Sequence, residues 1–293
     1  MREGIFTICR GIGQVMLQNN AWSGAVMLAG IACNSWLLAI LAIAGNLTGT
    51  LTALLAGYSI REIRDGLYGF NGTLIGIAVG VFFKINLISI VLLIAGSGLS
   101  TLIAGLFNRK SKLPGYTAPF IIVIWILLSG CYFLYPSLLI TSSAMPASSE
   151  TDLFAAFCFN LGQVMFQDGS LITGIFFLIA ILINSTLDTT YAFIGAALPL
   201  TLALIIGTDY TSFNTGVYGY NAVLCSIALA DRTKRGAIFA ILSILISIGL
   251  QITGMNLGIT TLTAPFVLSV WIVKLLQNTL SRVHADTKSC YFL

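Results

Sequence analysis

Charge is what this chain lacks most. Of 293 residues only 8% are Asp, Glu, Lys or Arg, against roughly 25% in a soluble domain, while 57% are hydrophobic. That excludes a water-soluble globule. Histidine is nearly absent: His284 is the only one, in the polar stretch "SRVHADTKSC", where a solvated tail residue is the expected reading. The six cysteines (Cys9, Cys33, Cys131, Cys158, Cys225, Cys290) never approach C-x-x-C, and five lie in or against apolar runs, where a thiol behaves as a small hydrophobe. Metal sites, redox pairs and most nucleophile–base triads are thereby removed, no enzyme activity is indicated, and no cofactor is expected. A secretory signal is missing too, because Arg10 interrupts the first apolar run and no small-residue cleavage site follows, so the N-terminus is expected to be retained. The net charge of +4 comes from short clusters between apolar segments, which argues against a nucleic-acid stripe.

What the chain has instead is apolar length. Stretches such as 21–44, 85–107 and 236–250 approach or reach the roughly 20 residues that cross a bilayer as helix. A shorter segment, 5–18, holds Arg10 and Gln14 and reads as re-entrant. Spanning candidates follow at about 22–44, 46–60, 67–83, 85–107 and 116–135. A polar stretch within 136–152 then breaks the pattern and is expected to be an extracytoplasmic linker. After it come a second short segment near 153–167 and candidates near 170–187, 190–207, 213–230, 236–256 and 262–280.

The second half repeats the first. "GQVMLQN" at 13–19 faces "GQVMFQD" at 162–168, offset 149; "YGFNG" at 68–72 faces "YGYNA" at 218–222, offset 150; "TAPFIIVIW" at 117–125 faces "TAPFVLSVW" at 263–271, offset 146. Three motifs in one order at nearly constant offset mark an internal duplication. With five spans per copy, an odd number, the second copy enters the membrane from the opposite side. The expected fold is therefore an all-α polytopic membrane protein of two inverted repeats, 1–135 and 153–293. Each has five transmembrane helices plus one re-entrant helix, around a central pore. Placing the N-terminus inside puts twelve basic residues on the cytoplasmic side (Arg2, Arg10, Arg61, Arg64, Arg109, Lys110, Lys112, Arg232, Lys234, Arg235, Arg282, Lys288), leaving Lys84 outside and Lys274 within the last helix. Both termini are expected in the cytoplasm, with the chain in the inner (plasma) membrane.

The repeated motifs suggest chemistry as well as symmetry. In "TAPF" a Thr precedes a first-turn Pro, the pattern of a capped helix start. Pro119 and Pro265 have no N–H, so the carbonyls of Gly115 and Thr261 are expected to lack a helical partner and to accept from a solute, beside the hydroxyls of Thr117 and Thr263. Gln14 and Gln163, matching amides on apolar segments, read either as interhelical glue or as two ends of one path. Leu17 and Phe166, three residues on, would stack over them at helical spacing, and Phe70 and Tyr220 add flat apolar faces; core packing is the alternative for any one of these. No carboxylate is placed at mid-depth, which disfavours ion coupling. A lane of acceptors between apolar walls suits a small, planar, uncharged molecule rich in N–H donors.

"LPGYTAPF" at 113–120 resembles the L-P-x-x-T-x-P-F signature of the urea transporter family, and "GQVMLQNN" and "YGFNG" are similar to that family's sequences too. The second copy departs from the signature, with Ile259 and Thr260 in place of Leu-Pro. The resemblance implies a passive urea channel assembled as a homotrimer in membrane lipid, with a pore in every protomer. It places Gln14 and Gln163 at the pore mouths, Phe70, Tyr220, Leu74 and Leu224 in the slot walls, and Thr117 and Thr263 in the narrow middle. Leu17 stands where an aromatic partner is expected, and Tyr220 carries a hydroxyl where Phe is expected. Channels for water, ammonia, amides or glycerol, and an ion-coupled transporter, remain alternatives; the chain has no N-P-A pair and no mid-span histidine pair.

Overall fold

A backbone with so little polar side-chain company must satisfy its own N–H and C=O groups, and helix does so locally. The computed structural model describes residues 2–140, 152–167, 169–207 and 215–290; most of the expected linker (141–151), Asp168 and Asp209 lie outside them, as does the side chain of His284. Among the described residues the regular structure is helical, with turns between the helices and one isolated bridge between Phe83 and Leu139. The first half runs α1 (Arg2–Gln14), α2 (Ala21–Asn34), α3 (Trp36–Leu55), the single turn α4 (Ile60–Arg64), α5 (Phe70–Phe82), α6 (Leu87–Lys110) and α7 (Ala118–Leu134). The second runs α8 (Leu153–Gly162), α9 (Leu171–Asn184), α10 (Thr186–Ile206), α11 (Tyr220–Ala228), α12 (Lys234–Asn256) and α13 (Ala264–Cys290).

Two expected spans of the first half are wrong. The stretch 22–44 is not one helix, and 46–60 is not a separate one; α2 ends at Asn34 and α3 runs on to Leu55. The break is at Ser35, which is extended (φ −153°, ψ 108°) and whose hydroxyl caps the new helix by accepting from the Leu38 N–H. Ser185 does the same between α9 and α10 (φ −154°, ψ 117°). A short polar pair, Asn-Ser, breaks an apolar run that hydropathy alone reads as continuous. Nor are all the apolar helices of spanning length. Among the described residues four are long and apolar enough to cross a membrane, Trp36–Leu55, Leu87–Lys110, Thr186–Ile206 and Lys234–Asn256; Ala21–Asn34, Phe70–Phe82, Ala118–Leu134 and Leu171–Asn184 are apolar but shorter. The first residues of the expected linker, 136–140, pair with the end of α5: Lys84 N–H donates to Leu138 O (2.8 Å) and Ile140 N–H to Phe82 O (2.9 Å).

Bulky apolar side chains such as Met16, Met27, Ile31, Leu74, Phe120, Phe177, Leu224 and Phe266 fill the interior, while Trp22, Trp36, Leu55, Leu87 and Phe133 face outward. Outward apolar surface on this scale is what a lipid solvent accepts. Glycine lets helices touch through their backbones: a Cβ on Gly45 of α3 or Gly72 of α5 would collide with the other's carbonyl. Side-chain amides then bind the halves together. Asn34 at the end of α2 donates to Gln167 Oε1 (3.1 Å), and Asn184 at the end of α9 donates to Gln18 Oε1 (2.8 Å). Both glutamines are fully buried, and each Nε2 donates back to its own turn, at Met16 O and Met165 O.

Candidate functional site

The segments that the sequence duplicates also build matching local structure. After α1 the chain turns at 15–17 and places Leu17 in the left-handed region (φ 62°), its N–H donating to Gln14 O (3.0 Å). After α8 a short 3₁₀ turn does the same to Phe166 (φ 58°). Leu17 and Phe166 therefore do not stack over the glutamines at helical spacing as expected, because the helix has already ended. Just before α7 and α13, Tyr116 (φ 44°) and Leu262 (φ 48°) are left-handed as well. Among the described residues these four are the only non-glycine residues with positive φ. Large side chains avoid this region at a cost of about 1–3 kcal/mol each, and such strain concentrates where a site imposes it.

The two "TAPF" helix starts meet. Thr263 Oγ1 donates to Thr117 Oγ1 at 2.7 Å, with both residues buried. The Thr117 hydroxyl does not cap its own helix, contrary to the expected role of Thr in this motif. The cap comes from the other motif: Asn71 Oδ1 accepts from Phe120 N–H and Asn221 Oδ1 from Phe266 N–H, each at 3.1 Å. So "YGFN" and "YGYN" contribute an asparagine that holds the start of the helix after next, α7 or α13, and this frees the threonines to face each other. Trp125 of α7 donates from Nε1 to Thr260 O, and Trp271 of α13 from Nε1 to Pro114 O, both at 2.8 Å. Each tryptophan lies two turns into its helix and reaches the segment that precedes the other.

A cavity lies beside each left-handed pair. The first, about 190 Å³, is lined by Gln14, Leu17, Phe70, Ala104, Asn108, Gly115 and Tyr116, among others. The second, about 260 Å³, is lined by Gln163, Phe166, Tyr220, Gln251, Met255, Thr261 and Leu262, with Phe82 and others. Nine of the eleven residues that line the first have a repeat mate lining the second, including Ala104 with Gln251 and Asn108 with Met255 at an offset of 147. Eight predicted residues are thus gathered in two cavities: Gln14, Leu17, Phe70 and Gly115 in one; Gln163, Phe166, Tyr220 and Thr261 in the other. Thr117, Thr263 and the fully buried Leu74 and Leu224 line neither. The carbonyls of Gly115 and Thr261 are not left without a partner: losing the donor four residues on to proline, each accepts from the residue three on, Ala118 N–H (2.9 Å) and Ala264 N–H (3.1 Å). Each oxygen keeps a second lone pair.

The cavities differ in polarity. Gln14 Nε2 donates to Asp65 O (2.9 Å), whereas Gln163 Oε1 is buried with no partner among the described residues. In the first cavity Phe70 and Ala104 are apolar. In the second their mates join a network in which the Tyr220 hydroxyl donates to Leu262 O, Thr261 Oγ1 donates to Gln251 Oε1 (2.9 Å) and Asn221 Nδ2 donates to the same oxygen (3.1 Å). The Phe166 ring meets Phe82 edge-on (centroids 5.7 Å apart) and Phe120 at 6.1 Å; Leu17 offers no such ring in the first cavity. Asn71, Asn221 and Gln251 were missed in the sequence. The first two stood inside quoted motifs and could have been found as the one polar residue that both copies share after the aromatic.

A charge-poor helical chain with wide outward-facing apolar surface and several helices long and apolar enough to cross a bilayer is a polytopic membrane protein. The urea transporter family model matches residues 5–278, and the chain belongs to that family. It is similar to urea transporter 1 of Rattus norvegicus, 31% identical over 242 residues that cover 76% of this chain and 62% of the relative. Urea transporter 1 of Mus musculus (31%) and of Capra hircus (30%) match over the same shares. The chain spans a little under two thirds of the length of these curated relatives.

Proposed function

We propose that the protein carries urea passively across the membrane, along a path from one cavity, past Thr117 and Thr263, to the other. Residues 1–135 and 153–293 are the two inverted copies, joined by an extracytoplasmic 136–152. The observation that carries the reading is that matching residues line two cavities, one beside the segment before Thr117 and one beside the segment before Thr263, and that these two threonines share a hydrogen bond. A solute entering at Gln14 or Gln163 exchanges water for amide contacts, then lies flat against Phe70 or against Tyr220 and Phe166. Urea offers four N–H donors and one carbonyl. Its donors fit the free lone pairs of Gly115 O, Thr261 O and the threonine hydroxyls, and an N–H must replace the Thr263–Thr117 bond for passage. Leu74 and Leu224, four residues beyond the ring-bearing positions, continue the apolar walls. Repeated weak sites favour rapid release, and apolar walls cannot repay an ion's dehydration.

Membership of the family and the urea transporter names of the relatives support urea as the solute. The distribution of Lys and Arg supports cytoplasmic termini in the inner (plasma) membrane, and the family resemblance supports a homotrimer with one path per protomer. The test is stopped-flow urea flux in proteoliposomes with and without sodium and proton gradients. Urea flux well above protein-free vesicles and indifferent to both gradients is expected; flux that follows an ion gradient, or none, overturns the proposal.

A further inference from the structure

We infer that Gln251 is a specificity-determining residue of the second cavity, its side-chain N–H₂ donating to the carbonyl oxygen of a urea-sized amide; this rests on the transport reading above. The orientation of its amide follows from a chain of contacts. Asn221 must present its oxygen to the Phe266 N–H (3.1 Å), so its other end is Nδ2, a donor. That donor faces Gln251 at 3.1 Å, so the Gln251 atom there is Oε1. Thr261 Oγ1 also donates to Oε1 at 2.9 Å, and the Tyr220 hydroxyl approaches it at 3.5 Å. Oε1 is saturated. The opposite end of the same amide, Nε2, has no acceptor among the described residues, although Gln251 is only 1% exposed and lines the 260 Å³ cavity.

An amide donor that opens on a cavity without a protein acceptor is free to bond what enters, and a solute carbonyl supplies the partner. The carbonyl acceptors already discussed along the path, Gly115 O and Thr261 O, suit a solute's N–H groups and offer nothing to its carbonyl, for which the path otherwise has only the threonine hydroxyls and the amides of Gln14 and Gln163. Gln251 supplies the complementary donor, and it does so on one side only, since its repeat mate is Ala104. Being neutral, it favours a neutral acceptor. The second cavity is therefore the one that reads the carbonyl of the solute, while the first reads chiefly its shape and N–H donors.

Gln251→Ala copies the first half, and Gln251→Met fills the same length without a donor. Neither strands the neighbours wholly, because Asn221 Nδ2 and the Tyr220 hydroxyl both also donate to Leu262 O. The measurement is the half-saturation concentration for urea and for thiourea, whose sulfur is a weaker acceptor, in proteoliposomes carrying each full-length variant. For urea it is expected to rise about threefold to tenfold in both variants. For thiourea it is expected to change less than about twofold, so that discrimination between the two falls. If urea and thiourea shift together, or neither shifts, while the unmodified protein carries urea, the role of Gln251 is refuted and the transport reading stands. Absence of urea flux in the unmodified protein refutes the transport reading and this inference with it.

Discussion

The cavity behind Leu17 and Phe70 and the cavity behind Phe166 and Tyr220 have one backbone plan and two chemistries. Each is bordered by a left-handed residue after "GQVM" and another before "TAPF", and each sits against an asparagine that caps the neighbouring helix. What differs is the filling: Leu17, Phe70, Ala104 and Gly115 on one side, Phe166, Tyr220, Gln251 and Thr261 on the other. Duplication preserved the parts that hold the chain in strained conformations and let the lining diverge. The left-handed turns and the caps are common to both cavities, and on the proposed path the lining is what would set recognition at each end.

The largest effect is expected where the shared plan is cut. Asn221→Leu strands the Phe266 N–H and removes the bonds to Gln251 and Leu262, so it should cost about 2–3 kcal/mol of stability; Asn71→Leu, which loses Phe120 N–H and a longer contact to Tyr116 O (3.4 Å), should cost about 1–2. Thermal unfolding in detergent checks the order, and equal losses would mean that the second cavity's network adds nothing. Next comes Thr117→Val with Thr263→Val, isosteric changes that keep the wall and remove the hydroxyls where the halves meet. Urea flux should fall about tenfold or more with the protein still monodisperse. Gln14→Ala breaks the bond to Asp65 O and should raise the half-saturation concentration about threefold, read as depressed uptake at low urea. Smallest is Leu17→Phe, which gives the first cavity the ring that the second has. About twofold tighter half-saturation is expected, and looser binding would show that the smaller cavity has no room for it.

Much of this was legible in the sequence. The duplicated motifs led to the matched cavities, to the glutamines beside them and to the two threonines, because each motif is written twice in the same order. An all-helical, apolar architecture was legible too, but neither the helix count of the first half, where the turn Ile60–Arg64 adds one, nor every boundary: hydropathy averages over the Asn34-Ser35 break, where a single extended residue and one cap hydrogen bond end a helix. Left-handed Leu17, Phe166, Tyr116 and Leu262 were invisible, since nothing in a Leu, Phe or Tyr announces positive φ; only tertiary packing imposes it. The proline argument about Gly115 and Thr261 was right on the missing donor and silent on the one three residues on that replaces it.

Buried amides illustrate a subtler limit. Asn46 of α3 donates to Ile8 O (3.1 Å) of α1, while in the second half the asparagine sits on the short helix instead, Asn160 of α8 donating to Ala196 O (2.8 Å) of α10. Gly11 is the repeat mate of Asn160, and a Cβ there would strike the Asn46 side chain. The amide has changed sides of one interface while the contact persisted, and aligning the two halves by identity hides this.

The most direct test of the central claim is a cryo-EM or crystallographic map of the protein with selenourea, whose selenium marks the solute. Selenium density is expected in both cavities, one on each side of the Thr117–Thr263 pair, among the residues named for each. Density confined to the lipid-facing surface, or absent from both cavities while flux is retained, would contradict a path that joins them.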